Sequence, residues 1–165
     1  MPGKPKIIYY SRTGHSRHLA EDLARRLEGT LCELSTRRYR WPVLGAVAAG
    51  RDALLGVAPE VSGLDELPEA DDLIVLVGPV WAGRPAAPLL PVIKRLSKTE
   101  HRVAIALTCG DPRNDDAAIT KAREHLGREF VSQSIMCSNR QNWLLDNIDA
   151  RRFALECNAG VDWQG

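Results

Sequence analysis

Six consecutive residues, Ser11-Arg12-Thr13-Gly14-His15-Ser16, have the composition of an anion-binding loop. A phosphate monoester carries close to two negative charges near neutral pH and needs several converging donors. Ser11, Thr13 and Ser16 offer three hydroxyls, and Gly14 allows a close backbone approach because it has no Cβ. The loop follows the apolar run Lys6 to Tyr10 and precedes a helical pattern. Its backbone amides would therefore lie where a starting helix leaves them unpaired, at the positive end of the dipole. The same residues would equally suit a helix start capped by Ser or Thr, and composition alone does not separate the two. The loop is neither a Walker A sequence nor a GxGxxG dinucleotide fingerprint.

Two further segments hold unusual residues. Gly78-Pro-Val-Trp-Ala-Gly83 follows the clearest apolar run in the chain, Leu73 to Val77. Thr108-Cys-Gly-Asp-Pro-Arg-Asn-Asp115 follows another, Val103 to Leu107. Trp81 reads as a half-buried packing residue or as an aromatic wall for a ligand. Cys109 reads as a reactive thiol at the site or as a buried, inert one. Arg12 and Arg84 would flank the same region as charge partners or as solvated surface residues.

The elements that must position these segments alternate along the chain. Lys6 to Tyr10 predicts a buried strand. Leu19, Ala20, Leu23, Ala24 and Leu27 predict a helix that Gly29 closes. Thr30 to Leu34 predicts strand two. Pro42 to Gly56 predicts a crossover helix with extended flanks, since residues 35 to 70 are too many for a plain connector. Leu73 to Val77 lacks alternation, as a central parallel strand does. A helix is expected near Pro88 to Leu96 and strand four at Val103 to Leu107. A helix from about Asp116 to Leu126, a weaker strand at Phe130 to Met136 and a last helix within Asp146 to Cys157 complete the pattern. This is an α/β order, β-α repeated five times, and predicts a parallel sheet with helices on both faces. In such sheets ligands bind at the carboxyl ends of strands, where the strand order reverses. In a five-stranded sheet of order 2-1-3-4-5 that point lies between strands one and three. Ser11–Ser16 and Pro79–Gly83 would meet there.

Composition bounds the rest. The 165 residues suit a single domain spanning 1–165, and a hydrophobic share of 44% supports a real core. A net charge of +1 implies neither a nucleic-acid binder nor an acid-rich docking protein. No apolar run approaches the roughly 18 residues of a membrane span. The Met1-Pro-Gly-Lys-Pro start leaves no room for a signal peptide, and a cytoplasmic location is expected. Cys32, Cys109, Cys137 and Cys157 form no CxxC pair and have no His cluster beside them, so no metal site is expected. A homodimer is left open.

Tyr10-Ser-Arg-Thr-Gly-His-Ser16, after an N-terminal strand, resembles the phosphate loop of the flavodoxin-like family: a hydroxyl residue, any residue, Thr, Gly, any residue, then Ser or Thr. The resemblance extends to Gly78–Gly83 before a Pro-started helix, and to the order of elements over most of the chain. It implies a flavodoxin-like three-layer sandwich with FMN as cofactor. It assigns Ser11, Arg12, Thr13, Gly14, His15 and Ser16 to the phosphate. It assigns Pro79, Val80, Trp81, Ala82 and Gly83 to one side of the flavin ring, with Trp81 against it. Thr108, Cys109 and Gly110 would line the other side. Thr108–Asp115 departs from the family pattern in having no aromatic residue, so stacking would be one-sided or Tyr39 or Trp41 would supply the second face. No catalytic residue is singled out. The function implied is redox chemistry. One form is an FMN-dependent NAD(P)H:acceptor oxidoreductase that passes electrons to a small acceptor such as a quinone. The alternatives are an electron carrier between proteins, weakened by the near-neutral charge, and a flavodoxin-fold domain that has lost FMN. The electron donor and acceptor are not legible.

Overall fold

A computed structural model describes residues 3–39, 42–64, 67, 72–110, 115–137 and 143–159. In chain order the elements are β1 (Lys6–Tyr9), α1 (His15–Leu27), β2 (Thr30–Glu33), α2 (Pro42–Leu55), β3 (Leu73–Trp81) and β4 (Arg84–Pro85). Then come α3 (Leu90–Leu96), β5 (Arg102–Cys109), α4 (Asp115–Leu126), β6 (Gln133–Cys137) and α5 (Trp143–Ala159). The sheet runs β2-β1-β3-β5-β6, all parallel, with β4 antiparallel to β3. Apart from the two-residue β4, this is the expected 2-1-3-4-5 order.

Register explains why the strands read as unbroken apolar runs. Ile7 lies between Leu31 and Val75, and Ile8 lies between Cys32 and Leu76. Successive side chains then enter opposite layers. Ile7, Tyr9, Val75, Val77, Ala104 and Ala106 pack on α1 and α5, where Leu23, Leu27 and Phe153 fill the space. Ile8, Ile74, Leu76, Ile105 and Leu107 pack under α2, α3 and α4, against Ala49, Ile93, Leu96 and Ala122. Both faces are covered, giving three layers. Each fully buried Ile or Leu contributes roughly 1.5–3 kcal/mol, so the two layers hold the strand ends, and the loops they launch, in fixed relation.

Local departures from expectation have physical causes. The residue that closes α1 in the left-handed conformation is Glu28 (φ 53°), not Gly29. Gly29 is needed for another reason: a Cβ there would lie 2.3 Å from Ile7 Cδ1 and 2.6 Å from the Pro5 carbonyl oxygen. The expected helix at Pro88–Leu96 begins as a 3-10 turn, Ala87–Leu89, and becomes regular at Leu90. The assigned β6 starts at Gln133, later than Phe130. Yet Val131 N–H already bonds the Val103 carbonyl at 2.8 Å, so β5 pairs with this segment before the assigned strand begins.

Candidate functional site

The three segments singled out by their residues converge at the carboxyl end of the sheet. Tyr9 pairs with Val77, Gly78 with Leu107 and Pro79 with Thr108. The chain leaving β1, the end of β3 and the end of β5 thus stand side by side. Tyr10 N–H continues the ladder to the Val77 carbonyl at 3.0 Å before the loop begins.

Within Ser11–Ser16 the turn is built on glycine. Gly14 has φ 95° and is the N-cap of α1, and no side chain caps the helix. A Cβ on Gly14 would meet nothing within 4 Å, so conformation, not crowding, demands glycine there. The alternative of a Ser- or Thr-capped helix start is therefore overturned. Ser11, half-buried, accepts the Gly14 N–H at 3.1 Å and closes the turn. The first intrahelical bond is His18 N–H to the Gly14 carbonyl, 3.0 Å. Three amides, of His15, Ser16 and Arg17, precede it and have no intrahelical acceptor, as at any helix start. Arg12, Thr13 and His15 are exposed. Ser16 is not an outward donor: it is 2% exposed, and its Oγ lies 2.7 Å from Thr108 Oγ1. One hydroxyl of that pair donates to the other, which leaves the second proton for a further acceptor.

Pro79–Gly83, expected as a loop, is mostly strand. β3 runs on through Trp81 and folds back, with Val80 opposite Pro85 and Trp81 opposite Arg84. Ala82 (φ 50°) and Gly83 (φ 70°) form the two-residue turn, whose paired positive φ values match the twist of a tight hairpin. Ala86 N–H bonds the Pro79 carbonyl at 2.9 Å. Gly78 gives Leu89 its room, since a Cβ would sit 2.7 Å from Leu89 Cδ1.

Trp81 is half-buried between two tyrosines. Tyr10 meets it edge-on at 5.6 Å and 86°, and Tyr39 at 5.4 Å and 89°. Both geometries suit the aromatic quadrupoles. Tyr39 is itself anchored: its hydroxyl donates to Asp52 Oδ2 at 2.8 Å. Asp52, 1% exposed, also receives a two-pronged contact from Arg38, through Nε and through Nη2 at 3.0 Å. The Arg38 hydrogen bond holds the Asp52 carboxyl below its ordinary range, against the opposing effect of burial. Burial, then the Asp52 contact, pushes the Tyr39 phenol up. The ring of Tyr39, the alternative second face, is buried edge-on against Trp81. Trp41, Asp111 and Arg113 lie outside the described residues.

Thr108 and Cys109 are the last two residues of β5, opposite Met136 and Cys137, and Gly110 follows, exposed. Cys109 is buried, as expected of an inert thiol. Arg12 lies close enough to Tyr10 to favour its ionised form, against the larger effect of burial. Arg84 lies opposite Trp81 in the hairpin, and its charge also reaches Glu124 and His125 of α4 as a minor influence. An open depression of about 470 Å³ between α4, β6 and α5 is lined by Asp116, Arg123 and Arg152 among others, and by none of the expected site residues. Among the described residues, no group of three His, Cys, Asp or Glu side chains could hold a metal, and no helix is long and apolar enough to cross a membrane.

Two of the site's organising residues carry weak sequence signals. Asp52 is the only acid in the apolar helix Pro42–Leu55, which is what a buried, paired carboxylate looks like. Tyr10 ends an apolar strand and reads as core, with nothing to mark its contact with Trp81.

No protein-family model matches the chain, and no curated protein matches it. Solved structures do. A flavoprotein from Lactobacillus acidophilus NCFM, in complex with FMN, superposes with a TM-score of 0.71 at 21% identity, over 92% of this chain and 98% of that one. The apo form of the flavoprotein from that organism gives 0.60 at 22% identity, over 87% and 98%. The flavodoxin of Streptococcus pneumonia TIGR4 gives 0.51 at 12%, over 94% and 98%. With the strand order, the two covered faces and the loops gathered at the β1–β3 crevice, these likenesses show that the chain has the flavodoxin-like fold.

Proposed function

We propose that this chain binds FMN in the crevice between β1 and β3 and works as a redox protein. In this reading it passes electrons from a reduced donor to a small acceptor such as a quinone, in the cytoplasm. The observation that carries the reading is the convergence of Ser11–Ser16, Trp81 and Thr108, tied together by the Ser16–Thr108 contact and the Tyr10–Trp81 edge contact. The FMN-bound flavoprotein of like fold supports it.

The donor set suits a phosphate dianion. The amides of His15, Ser16 and Arg17 and the exposed Thr13 hydroxyl all belong to one helix start. Donors to a charged acceptor are each worth roughly 1.5–3 kcal/mol, so this cluster would dominate affinity. Trp81 and the β3–β4 turn would border the ring on one side, with Thr108, Cys109 and Gly110 on the other. FMN, when bound, supplies the capacity to take up and release electrons singly or as hydride. The chain's own residues bind, orient and exclude water.

The absorption spectrum of the purified protein tests this first. A yellow protein, or a colourless one that acquires a bound-flavin spectrum on titration with FMN, supports the reading. A protein that stays colourless with excess FMN overturns it. For the flavin-loaded protein, NAD(P)H oxidation dependent on a soluble quinone distinguishes an enzyme from a carrier between proteins.

A further inference from the structure

Helix α2 has the composition of a buried helix, yet among its described side chains only one side is buried. Of the fourteen residues from Pro42 to Leu55, Arg51 and Asp52 alone are charged. Gly45, Ala49 and Asp52 face inward; a Cβ on Gly45 would lie 2.7 Å from the Tyr39 carbonyl oxygen, so this side is pressed against the domain. The opposite side is apolar as well. Leu44 is 73% exposed, Val47 68%, Leu54 59% and Leu55 64%, with Val57 at 36% just beyond the helix. A helix that is apolar all round is ordinarily covered all round.

We infer that the outward face of α2 is a homodimer interface, in which two copies pack α2 against α2 in antiparallel fashion about a twofold axis. Spacing supports a helix as occupant. Leu44, Val47, Arg51 and Leu54 follow one another at intervals of about three, four and three, the a/d pattern of a coiled-coil seam. Register supports a second copy. When the axis crosses the outward face at the height of Ala49, midway along the seam, Leu44 meets Leu54 of the second copy and Val47 meets the aliphatic stem of its Arg51. Every apolar position of the seam then finds a complement. The guanidinium reaches past the seam to water, as long basic side chains do at interface rims. A parallel pairing would instead set Arg51 against Arg51.

Area agrees. These five residues together expose about 500 Å², the size of the largest apolar patch on a typical monomer, which is often functional. Doubled across the axis this reaches about 1,000 Å², the lower bound for a specific interface. An interface of this size is that of a weak, reversible dimer. A lipid surface suits the face less well, because amphipathic helices on membranes carry basic residues on the polar side and Arg51 lies in the middle of this apolar one.

Sedimentation velocity on the full chain, from about 1 to 200 µM, is the test. The expected result is a monomer–dimer equilibrium that L44E and V47E each weaken at least tenfold with unchanged circular dichroism and melting temperature. The double variant L44C/L54C, oxidised at 50 µM, should cross-link into a covalent dimer, whereas L44C alone should not, because the twofold sets the two copies of residue 44 far apart. A parent chain that stays monomeric throughout overturns the inference. So does a dimer that L44E and V47E leave intact, or a monomer that instead pellets with vesicles of phosphatidylcholine and phosphatidylglycerol. None of these readings depends on whether FMN binds.

Discussion

Ser16 Oγ lies 2.7 Å from Thr108 Oγ1, inside the protein, so a residue at the start of α1 is bonded to one at the end of β5. The contact closes the loop after β1 onto the third strand of the site. It also makes a prediction about stability that does not involve a ligand. Thr108→Val removes one partner and leaves the Ser16 hydroxyl buried without a bond, which should cost about 1–3 kcal/mol. Adding Ser16→Ala should recover part of that loss, because both polar atoms are then gone. Urea unfolding of the two single variants and the double variant measures the coupling; strictly additive losses would mean that the two hydroxyls do not interact.

Thr13 is the complementary case. Its side chain is exposed and contributes nothing to the core. Thr13→Val should leave the melting temperature unchanged and weaken FMN binding by about tenfold or more, as expected for one lost bond to a phosphate. Fluorescence titration gives the dissociation constant. An unaltered constant would remove Thr13 from the site.

Asp52 predicts a pH dependence. Its carboxyl is held below the ordinary range by Arg38, so the folded state favours the ionised form. A group depressed on folding stabilises the protein fully above its unfolded pKa. That contribution is lost as pH falls through the folded value, so the loss begins below about pH 4. Asp52→Asn should cost about 1–3 kcal/mol at pH 7. Because the substituted chain lacks this titration, the stability gap between the two should narrow in acid. A gap constant from pH 7 to pH 3 would mean that the ion pair contributes nothing.

Ala82 holds a positive φ that glycine adopts at no steric cost. Ala82→Gly should relieve the turn by more than the added entropy of the unfolded chain, raising the melting temperature by about 1–3 °C. Ala82→Val should lower it by at least as much. Differential scanning calorimetry of the pair decides; a lowered value for the glycine variant would contradict the turn described here.

Trp81 should report on the site spectroscopically. Trp81→Ala removes a ring from between Tyr10 and Tyr39 and should diminish the near-ultraviolet circular dichroism of the unliganded protein. It should also alter the visible spectrum, or the quenching, of added FMN. A dichroism change with an identical flavin spectrum would mean that Trp81 packs the hairpin and does not meet the ring.

The parallel sheet was legible because burial on both faces produces runs such as Leu73–Val77, and its 2-1-3-4-5 order came with the resemblance to the flavodoxin-like family. The convergence of Ser11–Ser16 and the end of β3 followed from that order alone. The hairpin after β3 was not legible, because its turn is Ala82-Gly83 and lacks the Asn or Asp that usually marks two residues with positive φ. Ser16 shows a second limit. Composition counts a serine as a donor but says nothing of which way it faces, and the inward turn of Ser16 depends on Thr108, far along the chain. Asp52 shows a third: its partners Arg38 and Tyr39 lie before α2 begins, and no helical spacing links them.

The place of β1 also constrains how the molecule can be made. Ile7 pairs with Leu31, near it in sequence, and with Val75, far from it. On an emerging chain the first strand, first helix and second strand can associate early, but the inner edge of β1 stays open until β3 has been synthesised. That exposed edge, lined by Ile7 and Ile8, is a template for mispairing with another nascent chain. Slow translation between β2 and β3 would therefore lower the yield of native protein, whereas the same pause after β5 would be harmless to β1.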